Sequence, residues 1–197
     1  MKGDTSMVRT MLSQRHLDLN APNEHGQVPA VLALEIFMFT AHANDEILRM
    51  LLSRHDLAIN QFHGKETLLQ TAVHYNHEAT VALLLQRRDL DVNAALSAGA
   101  TALQLAVACG YEGVVAQLLR RDDLDVNKGT PSTGAPIHVA IRHGWRGIIE
   151  RLVQRRDLNV NCLDAQGKSP LKLAVEKGEV EIVRVLRSRR DLCVDFR

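Results

Sequence analysis

The chain repeats itself, and the period of that repetition leaves few folds open. An apolar run, an arginine-bearing turn, Asp-Leu and a β-like pair closing on asparagine occur at 51–60, 84–93, 118–127 and 152–161. A last copy spans 186–195, and an early one ends at Asn20. The closing residues Asn20, Asn60, Asn93, Asn127, Asn161 and Asp195 lie 40, 33, 34, 34 and 34 residues apart. A near-constant period of that size predicts a solenoid of stacked supersecondary units, none of which buries its apolar face alone.

Each period holds two helical patterns. In the third, Thr101 to Ala108 reads as a short helix, with Gly110 where a left-handed C-cap belongs. Residues 113–119 read as a second helix with Val114, Val115, Leu118 and Leu119 on one face. Small residues recur at one place in every first helix: Ala33, Ala72, Ala106, Ala140 and Ala174. Thin layers of Leu, Val and Ala account for a chain that is 46% hydrophobic and only 4% aromatic.

The fifth period carries Asp164, Gly167, Ser169-Pro170-Leu171, Ala174-Val175 and Gly178, and the fourth keeps Pro136-Ile137-His138-Val139-Ala140. This pattern resembles the ankyrin repeat family over nearly the whole chain. The resemblance implies an all-α solenoid of helix–turn–helix units with short β-turn fingers. It is divided into a half-repeat cap at 1–19 and repeats at 20–59, 60–92, 93–126, 127–160 and 161–197. The Arg-x-Asp-Leu turn is one residue longer than the usual Gly-Ala-Asp turn. In this respect the chain resembles the large ankyrin arrays of filamentous fungi. Arg187 takes a place that Leu12, Leu52, Leu85, Leu119 and Val153 hold elsewhere, which leads us to expect a polar outer face and a self-capped array.

Composition narrows the function. Lys and Arg number 24 against 23 Asp and Glu, so the chain is not built to coat nucleic acid or an anionic membrane. The three cysteines have no CxxC spacing, which fits a reducing cytoplasm. The most apolar stretch, 28–41, is interrupted by Glu35 and too short to span a bilayer. There is no nucleophile elbow, P-loop, dinucleotide fingerprint or HExxH motif, and no cofactor is implied. The arginine stripe interleaves with Asp56, Asp89, Asp122, Asp123, Asp157 and Asp191, and reads as a structural charge ladder of individually weak pairs.

Departures from the repeat locate the candidate site. The first full repeat is six residues longer than the 34-residue repeats, and the excess falls in Glu35-Ile36-Phe37-Met38-Phe39-Thr40-Ala41-His42. The insertion is either a pocket wall or an extended core helix. Phe62 and His63 lie in the next finger, and His74-Tyr75 end the helix after it. The family resemblance puts the residues after each Ala-Ala pair on the concave binding face: His74-Tyr75, Ala108-Cys109, Arg142-His143 and Glu176-Lys177. Finger tips such as His25 and Gln27 join them. The expected binding residues are therefore Phe37, Phe39, Phe62, His63, His74, Tyr75, Cys109, Arg142 and His143, with the aromatics gathered as anchors. The second finger lacks one residue, so alignment around Gly64-Lys65-Glu66 stays open. His138 and His77 occupy places that are structural in the family.

A metal site is not expected. His74, Cys109 and His143 lie one repeat apart, about 10 Å for packed helices, whereas zinc needs donors at about 2.0–2.3 Å. The leading reading is a monomeric cytoplasmic binding module for a protein partner or small hydrophobic ligand, with no nucleic acid and no membrane. The alternative is a small fungal biosynthetic enzyme of cyclase or isomerase type. It would use Glu35, His42, His74 and His143 for acid–base chemistry on a natural product.

Overall fold

The computed structural model describes residues 5–12, 14, 16–37 and 45–193. Of the sequence-predicted residues, Phe39, His42 and Asp195 lie outside that set, and Phe37 is described only as part of a helix. The chain falls into two compact units, Met1–Asp91 and Val92–Arg197.

The first unit holds α1 (Thr5–Leu12), α2 (Pro29–Phe37), α3 (Asp45–Leu52), α4 (Leu68–His74) and α5 (Glu78–Leu85). Helix α2 packs on α4, while α3 packs between α1 and α5, so first and second helices form separate layers. The second unit repeats the plan with α6 (Ala102–Cys109), α7 (Glu112–Leu118), α8 (Pro136–His143), α9 (Arg146–Gln154), α10 (Pro170–Glu176) and α11 (Val180–Arg187). There α8 packs between α6 and α10, and α9 between α7 and α11.

Local chemistry sets these short helices. Thr67, Thr101 and Ser169 cap first helices by accepting the backbone N–H three residues on. Gly110 and Gly144 close α6 and α8 in the left-handed conformation. Ala72, Ala106, Ala140 and Ala174 are completely buried, as close helix approach requires. In each Asp-Leu-x-Val/Ile-Asn segment the two apolar residues enter the core and the residue between them stays outside, as in Leu57 and Ile59 or Leu158 and Val160.

The closing asparagines are clamps. Asn127 donates to the Asp157 carbonyl and accepts from the Asn159 N–H, both at 2.7 Å. Asn20, Asn60, Asn93 and Asn161 make the same pair of bonds to the next turn. One arginine of each described turn is structural and more deeply engaged than a surface ladder, while Arg88, Arg120, Arg156 and Arg190 are exposed. Arg155 forks onto Asp157 while donating to the Leu119, Arg121 and Leu124 carbonyls, with its side chain only 17% exposed. It thereby satisfies helix-end carbonyls of the preceding repeat. Arg54, Arg87 and Arg189 do likewise. Arg187 is exposed.

Candidate functional site

The first unit contains a recess of about 320 Å³ where two fingers meet the ends of two first helices. The first finger contributes His25, Gly26 and Gln27, and the second His63, Gly64, Lys65 and Glu66. Helix α2 contributes Val31 and Glu35, and α4 contributes Thr71, His74 and its C-cap Tyr75.

The second finger is a two-stranded hairpin, β1 (Phe62–His63) with β2 (Glu66–Thr67), pairing Phe62 with Thr67 and His63 with Glu66. Gly64 turns it at φ 68°, a conformation that suits glycine at this hairpin position. Neighbouring side chains on a strand face opposite ways. His63 lines the recess and is half-buried, whereas Phe62 does not line it and is 48% exposed. Burial pushes the His63 imidazole below its ordinary pKa.

Glu35 keeps the repeat register, two residues after Ala33 as His74 is two after Ala72, so the additional residues follow it. Its carboxylate accepts from the Gln27 amide at 2.5 Å. Gln27 is held in turn by its own N–H on Asn23 Oδ1. Glu66 Oε1 lies 3.3 Å from His74 Nδ1. The His74 and Tyr75 rings stand 5.5 Å apart and tilted. Partial burial, then the Glu35 and Glu66 charges, push the Tyr75 phenol above its ordinary pKa. Both carboxylates therefore act on one aromatic side chain.

Thus His63, His74, Tyr75 and Glu35 share a site, joined by Lys65 and Glu66. The last two went unassigned in the sequence because the shortened finger obscured the register there. The expected aromatic cluster does not form from Phe62, which points away from the recess.

Cys109, Arg142 and His143 belong to the second unit. Arg142 donates to Asp164 at 2.6 Å and to the Thr133 carbonyl at 2.5 Å, fastening two fingers to α8. His143 stacks on Trp145 with centroids 6.0 Å apart. Cys109 is exposed at the end of α6. Of the acid–base candidates among the described residues, the recess holds Glu35 and His74 but not His143; His42 lies outside the described residues. His138 is structural: it is fully buried, with Nε2 3.2 Å from the Lys168 carbonyl oxygen. His77 caps α5 by accepting the Thr80 N–H. No group of three or more metal-ligating side chains occurs among the described residues.

A family model for ankyrin repeats in three copies matches residues 36–130 and 123–195. The chain belongs to the ankyrin repeat family. Solved ankyrin structures share its fold. An ankyrin repeat domain from Acinetobacter baumannii superposes with a TM-score of 0.80 at 21% identity, covering 94% of this chain and 92% of that one. The ankyrin repeat domain of Bcl-3, a member of the IkappaB protein family, gives 0.76 at 26% identity over 92% of this chain and 76% of that one. No curated protein sequence matches the chain. Ankyrin repeat domains generally mediate protein–protein binding, and no described helix of this one is long and apolar enough to cross a membrane.

Proposed function

We propose that this ankyrin repeat protein is a protein-binding module whose first unit receives a side chain of its partner in the recess between Glu35, His63 and Tyr75. One observation carries the reading. The fingers and first-helix ends, which the family presents to partners, here converge on a concave site with an aromatic wall and several polar groups. Concavity with a few oriented polar groups distinguishes a recognition site from ordinary surface. Its polar lining favours a peptide side chain over a small hydrophobic molecule. The partner is an intracellular protein segment, consistent with three unpaired cysteines.

The test is a peptide library displayed on phage and panned against the folded protein, followed by measurement of Kd for the enriched peptides. Truncating a buried aromatic anchor costs more than about 1 kcal/mol. Tyr75→Ala is accordingly expected to weaken the peptides about ten-fold, with Cys109→Ser leaving them unchanged. Peptides that bind wild type and Tyr75→Ala equally well would remove the recess from the binding surface.

A further inference from the structure

The recess also has a chemical preference. Glu35 stands on α2 and lines the recess. The second unit contains two charges at the equivalent repeat position, and both are neutralised internally. Asp164 pairs with Arg142, and Lys168 pairs with Glu176. Glu35 has no counter-ion among the described residues, and its hydrogen-bond partner is the neutral amide of Gln27.

Glu66 brings a second carboxylate to the same space, held by the His74 imidazole. Helix α4 ends at His74 and adds a negative helix end. Two carboxylates and the α4 end thus share one recess with Tyr75, whose ring face attracts cations in its own right. Lys65 also lines the recess, from the exposed hairpin tip, and sets one positive charge against the two carboxylates.

We propose that the recess takes an arginine side chain of the partner, seated between the Glu35 and Glu66 carboxylates and against the Tyr75 ring. A planar guanidinium fits because its donors fork toward two acceptors while its face stacks on an aromatic. Lysine, a point charge, fits less well. The proposal rests on the reading of the recess as the partner site.

N-acetyl-arginine methylamide, its neutral citrulline isostere and the norleucine analogue are titrated into the ¹⁵N-labelled full chain. Arginine is expected to give saturable amide shifts at Glu35, Glu66 and Tyr75, with citrulline at least about five-fold weaker because charge-assisted bonds are about twice as strong as neutral ones. Glu35→Gln should weaken arginine by a similar factor and leave citrulline unchanged. Glu66→Gln serves as the second variant if the first does not fold. Citrulline or norleucine binding as tightly as arginine would overturn the proposal, as would the absence of saturable shifts with any probe. If panned peptides still depend on Tyr75 under either outcome, the partner site stands and its cation preference alone fails.

Discussion

Arg87 carries one of the repeated clamps, and its partner Asp89 shows how the clamp responds to acid. The Arg87 guanidinium forks onto Asp89 at 2.8 and 2.7 Å and reaches the Leu52 and Arg54 carbonyls. Hydrogen bonds from Arg87 are the main cause that holds the Asp89 pKa at about 2. A free aspartate titrates near about 3.9. Because the folded value is the lower one, the Asp89 carboxylate stabilises the fold above about pH 4 and loses that contribution as pH falls through about 2. The carboxylate is 57% exposed, so solvent screening limits the effect to about 0.5–1 kcal/mol. Asp89→Asn is expected to cost that much at pH 7 in urea unfolding and to match wild type near pH 2. A gap that stayed constant across this range would mean that Asp89 matters for shape and not for charge.

At the scale of elements, the first helices differ in how they end. Gly110 closes α6 at φ 72°, and a β-carbon there would lie 2.8 Å from the Trp145 ring. The α4 end has Asn76 at φ 51° instead. Gly110→Ala combines left-handed strain of about 1–2 kcal/mol with displacement of the indole. We expect a loss of at least about 2 kcal/mol and a red shift in Trp145 emission as the ring moves toward water. Unchanged emission would show that the backbone, not the ring, absorbs the substitution.

The elements were legible in the sequence because their determinants are local. The 33–34-residue period, Gly110 at its cap and the alanines at the helix contacts each act within a few residues. The site was half legible. Tyr75, His63, His74 and Glu35 could be placed by repeat register. Glu66 and Lys65 could not, since one missing finger residue leaves the strand phase undetermined, and a slip of one reverses every side chain. Phe62 shows the consequence: the sequence places it beside the recess, but the hairpin turns it outward. Nothing local in the sequence reveals that Asp164, 22 residues on, holds the Arg142 guanidinium.

For the whole molecule, repeat proteins approximate sums of unit stabilities and neighbour interfaces, so unequal units unfold unequally. The first unit contains the weaker features. Gln14 stands at the repeat position that Arg54, Arg87, Arg121, Arg155 and Arg189 fill elsewhere, and Asn76 replaces a glycine cap. The single tryptophan, Trp145, belongs to the second unit. Urea unfolding followed by circular dichroism samples both units, while tryptophan fluorescence samples only the second. The dichroism transition should begin at lower urea than the fluorescence transition, a departure from two-state behaviour. A recess peptide binds the folded first unit, and at about 100 times its Kd adds about 2.7 kcal/mol to the stability of that unit. Saturating peptide should therefore raise the early dichroism phase and leave the Trp145 midpoint in place, bringing the two curves together. Coincident curves without peptide would make the chain one cooperative block. A peptide that moved the Trp145 midpoint first would place the binding site in the second unit.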